Sequence, residues 1–239
     1  MSMNSLSPTV GPPASPGAPL VINWARETLF LLPERAIWWP SQRVLMIADL
    51  HIGKAATYRA LGQPVPSGTT RENLRRISHL LMHYQPVRLV FLGDFLHAAQ
   101  ARTPAVLRAL HEWRQDFPDL ECVLVRGNHD SRAGDPPASL NMQVVVEPWL
   151  MGPFAACHHP QGHPTHAVIA GHLHPVVKLY GRGRDHLRLP CFCFEDGRAV
   201  LPAFGEFTGG WTVTREHARQ LYPVGGQAVW RLPDLGKIP

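Results

Sequence analysis

The sequence predicts an α/β fold in which a parallel β-sheet carries a polar site at one edge. Three short apolar runs, residues 43–48, 87–92 and 122–125, alternate with two segments of helical periodicity. Each apolar run ends in polar side chains, and the chain after residue 130 is rich in strand-like segments. Because right-handed β-helix-β connections place successive strands side by side, we expect the three polar ends along one edge.

The first polar end follows a group of strands near the N-terminus. Residues 27–32 and 36–39 are predicted to form a hairpin or meander, and residues 43–48 a buried strand. Asp49 and His51 come directly after that strand. Because side chains alternate along a strand, both project to the same side and can chelate one cation.

Two helices are predicted between the polar ends. After Lys54 the chain is expected to run as an irregular loop through residues 62–66, and a helix begins near Thr69. The core face of this helix recurs at helical spacing and consists of Leu74, Ile77, Leu81 and Tyr84. The second helix is predicted over residues 104–117, with Pro104 in its first turn.

The other two polar ends follow the second and third strands. They are Gly93-Asp94, which His97 follows three residues later, and Gly127-Asn128-His129-Asp130. Taken alone, the last of these is equally typical of a surface turn, since Gly and Asn favour turns. Three polar ends on consecutive strands are more specific, because open α/β sheets bind ligands at the carboxyl ends of their strands.

The second half of the chain is predicted to contain strands at residues 144–146, 154–157, 167–170, 176–179, 187–194 and 228–232. Two of them end in histidines, namely His158-His159 and Gly171-His172-Leu173-His174. Residues 181–185 are expected to be an exposed hairpin tip. Residues 1–19, rich in Ser, Pro and Gly, are expected to be a disordered tail, and residues 20–239 a single domain.

Composition is that of a globular protein, with 45% hydrophobic and 17% charged residues. Residues 1–19 lack the features of a signal peptide and no apolar run is long enough to span a bilayer, so we expect a cytoplasmic protein without membrane contact. Four cysteines, Cys122, Cys157, Cys191 and Cys193, lack C-x-x-C spacing and are expected to pack in the core.

The chain is basic, with a net charge of +5 that comes almost entirely from arginine. Arginine binds phosphate through two hydrogen bonds and stacks on bases, so the excess favours a nucleic-acid or other polyanionic partner. A GC-rich coding sequence also enriches Arg, Pro and Gly, and the chain has 24 Pro and 20 Gly. The charge alone does not separate these two explanations.

The polar ends together supply a set of candidate metal ligands: Asp49, His51, Asp94, Asn128, His129, His158, His172 and His174. Carboxylate, imidazole and amide groups in this mixture suit first-row ions such as Mn²⁺, Fe²⁺ or Zn²⁺. Even seven of these eight candidates are too many for one tetrahedral zinc, which takes about four. They are enough for two ions that share a bridging carboxylate.

Five motifs in this order resemble those of the calcineurin-like metallophosphoesterases: Asp49-x-His51, Gly93-Asp94, Gly127-Asn128-His129-Asp130, His158 and Gly171-His172-x-His174. Further segments are similar to one branch, the bacterial ligase-associated DNA damage response endonucleases. They are Asp49-Leu-His-Ile-Gly-Lys54, Gly62-x-x-Val-Pro66, Gly171-His-Leu-His-Pro175 and Leu201-Pro-Ala-Phe-Gly-x-Phe-Thr-Gly-Gly210. The resemblance extends over most of the chain beyond its N-terminal tail.

The resemblance implies a four-layer α-β-β-α sandwich with two divalent transition-metal ions at its edge, Mn²⁺ being favoured over Fe²⁺ or Zn²⁺. One ion takes Asp49, His51 and His174, the other takes Asn128, His158 and His172, and Asp94 bridges them. The family commonly has Gly after its fourth-motif histidine, where this chain has His159. Either His158 or His159 is therefore a candidate ligand, and the motif alignment favours His158.

The implied chemistry is hydrolysis of a phosphate ester by a hydroxide that bridges two ions roughly 3.5–4 Å apart. His129 is expected to contact the phosphate or to protonate the leaving oxygen. His97 is expected to orient His129 or the phosphate, with an ordinary loop histidine as the alternative. Asp130 is expected to orient a neighbour, and Lys54, Arg59 and Arg126 are candidates for binding substrate phosphates.

Three functions are compatible with these residues. The favoured one is a DNA endonuclease of damage response, with DNA as substrate and a DNA ligase or helicase repair system as a further partner. The second is a phosphatase or phosphodiesterase that acts on a small ester such as a nucleotide. The third, a non-enzymatic scaffold, is disfavoured because the chain has every metal-ligand type and His129.

Overall fold

The computed structural model describes residues 17–60, 62, 69–181, 185–206, 208–216 and 218–233. These residues form two packed β-sheets with helices over one of them. The strands are β1 (Leu20–Trp24), β2 (Glu27–Leu32), β3 (Ala36–Trp39), β4 (Val44–Ile47), β5 (Arg88–Leu92), β6 (Glu121–Val125), β7 (Met142–Val145), β8 (Trp149–Met151), β9 (Phe154–Ala156), β10 (Ala167–Ala170), β11 (Val176–Tyr180), β12 (His186–Glu195), β13 (Arg198–Val200), β14 (Gln220–Gly225) and β15 (Ala228–Val229). The helices are α1 (Lys54–Ala60), α2 (Thr69–Tyr84), α3 (Pro104–Gln115) and α4 (Asp130–Ala133).

The first sheet has the strand order β1-β2-β3-β4-β5-β6-β7. The pairs β1–β2, β2–β3 and β3–β4 are antiparallel. The pairs β4–β5, β5–β6 and β6–β7 are parallel. The predicted parallel arrangement of the three apolar runs is therefore confirmed. Parallel pairing brings the carboxyl ends of β4, β5 and β6 to one edge of the sheet.

Both faces of the first sheet are buried, which explains why its central strands are continuously apolar. On one face, Ile47, Phe91 and Leu124 pack with Ile77 of α2 and Leu110 of α3. On the other face, the side chains of the first sheet pack against those of the second. This inter-sheet core includes Met46, Val90 and Val123 from the first sheet and Phe154, Ile169 and Phe192 from the second.

The second sheet has the order β15-β14-β12-β13-β10-β9-β8, and β11 pairs with β12. The α/β class is confirmed, but no helix among the described residues covers the outer face of this sheet. Non-helical segments around Val213 and Leu232 pack there instead, against Val177, Cys191, Cys193 and Leu221. The segment between β13 and β14 contains Pro202, Gly205, Gly209 and Gly210, which disfavour the helical layer that the resemblance implied.

Some sequence-based expectations about local structure are wrong. Residues 54–60 form α1 rather than an irregular loop, because this alanine-rich segment has high helix propensity despite the turn signals that follow it. The strands β1, β8, β13 and β14 were not predicted. They are short or contain turn-favouring residues such as Pro223. β1 and β8 are stabilised by pairing with the next strand in the chain, and β13 and β14 by pairing with the more distant strands β10 and β12.

Several expectations fall partly outside the described residues. Residues 1–16 of the expected tail, residue 61, residues 63–66 of the expected loop and residues 182–184 of the expected hairpin tip lie there. Ala18 forms a bridge with Ala228, so the described chain is already paired two residues before β1. Gly181 donates a hydrogen bond to the Asp185 carbonyl at 3.0 Å, and the antiparallel pairing of β11 with β12 confirms the hairpin.

The four cysteines are free and buried, as expected. Burial raises the pKa of Cys122 to about 11 and that of Cys193 to about 12, so both stay protonated at neutral pH. No helix in the described parts of the chain is long and apolar enough to cross a membrane.

The side chain of Arg114 ties the end of α3 to the chain that follows. It is 6% exposed, and its guanidinium donates to the carbonyls of Leu140, Phe117, Pro118 and Leu120. We predict that Arg114→Met lowers the free energy of unfolding by roughly 2–5 kcal/mol, because buried carbonyls lose their donors. Urea denaturation measures this. The matched control is Arg108→Met on the exposed face of α3, and equal losses in both variants would contradict the assignment.

Candidate metal centre

Seven polar side chains from both sheets meet at one edge of the sandwich. Asp49 and His51 follow β4, Asp94 follows β5 and Asn128 follows β6, whereas His158 follows β9 and His172 and His174 follow β10. Backbone hydrogen bonds join the first two of these loops, from His51 N to Asp94 O at 2.8 Å and from Asp49 N to Gly93 O at 3.3 Å. All seven predicted ligands therefore lie together.

One group of donors consists of Asp49, His51 and His174, whose ligand atoms lie within 4.8 Å of one another. The Nε2 atoms of His51 and His174 are 3.4 Å apart, and His174 Nε2 is 3.3 Å from Asp49 Oδ1. The Gly209 carbonyl, 3.2 Å from His174 Nδ1, directs Nε2 of that ring towards the carboxylate. This is the set that the motif resemblance assigns to one ion.

The second group consists of Asn128, His158 and His172. His158 Nε2 lies 2.8 Å from Asn128 Oδ1 and 3.1 Å from His172 Nδ1. The opposite ring nitrogen of His158 is 3.1 Å from the Leu92 carbonyl, which fixes the orientation of the ring. This is the set that the resemblance assigns to the other ion.

The carboxylate of Asp94 lies between the two groups. Its Oδ1 is 3.5 Å from His158 Nε2, and its Oδ2 is 3.8 Å from His51 Nε2. The backbone N–H of His129 donates to Oδ1 at 2.9 Å and holds the carboxylate in place. Each oxygen therefore faces a different group, as a bridging ligand requires.

The donors fit divalent cations in chemistry as well as in position. Asp49 and Asp94 are 0% and 2% exposed, and no Lys or Arg nitrogen among the described residues is within ion-pair distance of either. Asp49 Oδ1 is buried without a hydrogen-bond donor. Two buried, unneutralised carboxylates are costly unless a cation is bound.

The histidines are poised as neutral ligands. Burial lowers the pKa values of His51, His158 and His172, and neighbouring histidines lower them further. Burial also acts to lower the pKa of His174, but the Asp49 carboxylate raises it overall. Because only the neutral imidazole binds a metal, three of the four rings need to release no proton at neutral pH.

Five of the seven predicted ligands are held in the left-handed backbone region. Asp49, His51, Asp94, His172 and His174 have φ angles between 48° and 70°. Such conformations cost roughly 1–3 kcal/mol each in residues other than glycine and cluster at functional sites. The fold therefore stores backbone strain where the donors converge.

Two glycines allow the donor loops to approach each other. A Cβ on Gly93, whose φ is +80°, would lie 2.1 Å from His158 Nδ1. A Cβ on Gly127 would lie 2.4 Å from Asp94 Oδ1. Any side chain at either position would displace a predicted ligand. Steric exclusion therefore explains why both motif positions are glycine.

His129 and His97 lie side by side at the rim of the centre. Their rings are stacked, with centroids 5.1 Å apart and an interplanar angle of 21°. His129 Nδ1 is 2.7 Å from the His97 carbonyl, and His129 Nε2 is 4.0 Å from Asp94 Oδ2. Burial lowers the pKa of His97 to about 4, so its ring is neutral near pH 7.

Asp130 holds two of the donor loops together. Its buried carboxylate accepts hydrogen bonds from the backbone N–H groups of Phe95, Leu96 and Gly127, at 2.9, 3.2 and 2.9 Å. It thereby links the loop that carries Asp94 to the loop that carries Asn128. Burial raises its pKa to about 6.

His158 and His159, the two alternative ligands of the fourth motif, differ in their positions in the structure. His158 is fully buried and reaches both Asp94 and Asn128. The side chain of His159 is 44% exposed, and its Nδ1 is 2.6 Å from Glu147 Oε1. The geometry thus favours His158 as the ligand. Glu147, which also accepts from the backbone N–H groups of both histidines, was missed because no motif or spacing points to it.

The three candidate phosphate-binding residues lie at different distances from the donors. Lys54 is close enough for Asp49 and Asp94 to raise its pKa, although burial lowers it overall. The guanidinium of Arg126 binds both oxygens of Asp135, at 2.8 and 2.7 Å, in a cleft that Asn128 also lines. Arg59 lines a separate cleft between α1, α2 and α3.

Comparisons with known proteins give the family of the chain. A model of the calcineurin-like phosphoesterase family matches residues 42–157. The crystal structure of Pseudomonas putida nuclease MPE is similar at 49% identity and a TM-score of 0.80, over 90% of this chain and 100% of that one. The chain belongs to the calcineurin-like phosphoesterase family.

Other comparisons are weaker. Yfce, a phosphoesterase from E. coli, has 15% identity and a TM-score of 0.41, over 79% of this chain and 97% of that one. No curated protein matches the sequence significantly. Two sheets with few helices match the fold of the calcineurin-like phosphoesterases. The family match and the similar nuclease structure show that the protein is a metal-dependent phosphoester hydrolase.

The position of Asp94 predicts that both donor groups depend on it. We expect Asp94→Ala to lose most of its bound divalent metal and roughly 100-fold or more of its hydrolytic rate. Metal content is measured by plasma mass spectrometry after loading with Mn²⁺ and gel filtration. The control is Asp116→Ala, an exposed aspartate at the end of α3. Full metal content in the Asp94 variant would contradict the bridging role.

Proposed function

We propose that this calcineurin-like phosphoesterase hydrolyses phosphodiester bonds in DNA with two divalent ions. The observation that carries the proposal is the arrangement of six donors in two groups on either side of a seventh, Asp94. Two ions bound there would lower the pKa of a water nucleophile and neutralise the phosphate oxygens. Carboxylate, imidazole and amide donors suit Mn²⁺, with Fe²⁺ and Zn²⁺ as alternatives.

Two further observations support DNA as the substrate. The similar structure from Pseudomonas putida is that of a nuclease, at 49% identity over 90% of this chain. The net charge of +5 favours a polyanion. Damage response and an association with a DNA ligase or helicase stay predictions from the motif resemblance. The cytoplasmic location stays a prediction from the sequence of residues 1–19 and the lack of a long apolar run.

Clefts on both sides of the centre support cleavage within a strand. On the side of Asn128 and His159 a cleft of about 540 Å³ is also lined by Arg126 and Arg132. On the side of His174 a second cleft, of about 210 Å³, is also lined by Arg35 and Arg188. Arg126 and Arg35 form ion pairs with Asp135 and Glu206, whereas Arg132 and Arg188 form none among the described residues. A polynucleotide that continues in both directions from the scissile phosphate therefore finds one arginine without a carboxylate partner on each side, which suits an endonuclease.

His129 is placed to act on the leaving group. Its Nδ1–H is directed at the His97 carbonyl, so Nε2 is the atom that faces the open side of the centre. The ring of His129 is 32% exposed, so Nε2 can reach a phosphate oxygen. The backbone N–H of His129 holds the Asp94 carboxylate at the same time. We assign to Nε2 the transfer of a proton to the leaving oxygen.

A cleavage panel tests the substrate. Protein loaded with Mn²⁺, Fe²⁺ or Zn²⁺ is incubated with single-stranded, gapped, branched and duplex DNA and, in parallel, with bis(p-nitrophenyl) phosphate. We expect internal cuts in at least one DNA form, and none with Asp94→Ala prepared identically. Hydrolysis of the small diester with every DNA intact would contradict the proposal and favour a small-ester phosphodiesterase.

Substitution of His129 tests the proton transfer. We expect His129→Ala to keep its metal, because its backbone N–H still holds Asp94, and to lose about 10²- to 10⁴-fold in turnover on DNA. The loss should shrink on bis(p-nitrophenyl) phosphate, since nitrophenolate leaves without a proton. His111→Ala, exposed on α3, is the control. Equal losses on both substrates would remove His129 from leaving-group chemistry.

A further inference from the structure

A two-stranded ribbon extends from the second sheet beside the metal centre. β11 begins two residues after His174 and pairs with β12 in the register Val176↔Pro190 to Tyr180↔His186. Among the described residues, β13 and β14 pair with β12 only from residue 191 onwards. Residues 177–180 and 186–189 therefore have no other strand beside them.

The two faces of the ribbon differ in character. Lys178, Tyr180, His186 and Arg188 lie on one side, here called the ribbon face, and all four are exposed. Val177, Leu179 and Leu189 lie on the other side and pack in the outer core of the second sheet. The alternation is thus that of a half-buried ribbon with one polar, aromatic face.

The ribbon face is directed towards the metal centre. Phe192 and Phe194 have the same orientation along β12 as Arg188 and pack between the sheets, so the ribbon face continues the inner side of the sheet beyond the sandwich. The Arg188 guanidinium donates to the Gly210 carbonyl, next to the Gly209 carbonyl that contacts His174. Arg188 and His174 also line the same cleft.

The ribbon face carries two cationic side chains on neighbouring strands. Lys178 and Arg188 are directly opposite in the register, and like charges in that position destabilise a strand pair. No carboxylate among the described residues forms an ion pair with either. A bound anion would remove this repulsion.

An exposed aromatic side chain lies beside the cations. Tyr180 is 79% exposed, and its ring is 6.5 Å from that of His186 at an angle of 40°. A cross-strand ring pair stabilises a ribbon, but it does not require one ring to remain this open to solvent. Cationic residues next to open aromatic rings are the pattern by which proteins bind single-stranded nucleic acids.

We propose that the ribbon face binds the single-stranded part of the DNA substrate next to the scissile phosphate. Lys178 and Arg188 bind backbone phosphates, and Tyr180 stacks on a base. The five residues from His186 to Pro190 span about 13 Å, which is enough for a few nucleotides. This inference rests on the proposed DNA substrate and adds where and in which form the DNA is bound.

Binding measurements test the ribbon face separately from catalysis. Metal-loaded protein is titrated against a labelled single-stranded oligonucleotide with phosphorothioate linkages, which slow hydrolysis, and fluorescence anisotropy gives Kd at several salt concentrations. We expect Tyr180→Ala to raise Kd roughly 5- to 100-fold without changing the salt dependence, and Tyr180→Phe to restore it. Lys178→Ala should reduce the slope of log Kd against log salt by about 0.7.

The controls separate this proposal from the proposed function. Leu187 is 57% exposed on the opposite face of the ribbon, so Leu187→Ala should change neither Kd nor its salt dependence. All variants should hydrolyse bis(p-nitrophenyl) phosphate like the parent protein. A blunt duplex, whose bases are already stacked, should respond to Lys178→Ala alone. Unchanged Kd in Tyr180→Ala and Lys178→Ala, or no binding of the oligonucleotide by the parent protein, would overturn the ribbon proposal. Binding through the ribbon without any DNA cleavage would uphold it and overturn the nuclease function.

Discussion

The structure depends on two buried carboxylates, Asp49 and Asp94, with which no Lys or Arg among the described residues forms an ion pair. Asp49 and Asp94 are almost completely buried, and the groups around them are histidines whose pKa values are mostly lowered by burial. Without a cation, this arrangement opposes folding through repulsion and lost solvation. With divalent cations bound, the same atoms become ligands, so the centre couples metal binding to the stability of the sandwich edge.

The architecture brings these groups together and holds them in a strained state. Parallel strands β4, β5 and β6 end at one edge, and β9 and β10 of the second sheet end opposite them. The left-handed conformations of five ligands persist because neighbouring loops bond to one another, with Asp130 as the central acceptor. The glycines at 93 and 127 then allow an approach that no other residue permits.

The features of the protein that could be predicted from its sequence are those encoded by residues close together in the chain. Apolar runs that end in polar residues supplied every candidate ligand of the two donor groups, since strand, turn and candidate ligand are neighbours in the chain. Glu147, the Gly209 carbonyl and the ribbon face depend on contacts between distant segments, which no spacing rule reveals. α1 was missed because the turn residues after it outweighed its alanines, and β13 and β14 because pairing, rather than propensity, stabilises them.

We propose that the seven donors hold two ions and that Asp94 bridges them. The most direct test of this proposal is a crystal structure of the Mn²⁺-loaded protein with anomalous diffraction measured at the manganese edge. We expect two anomalous peaks roughly 3.5–4 Å apart, with Asp94 between them. One peak should lie beside Asp49, His51 and His174, and the other beside Asn128, His158 and His172. A single peak, or a peak held by His51, His97 and His129, would contradict it.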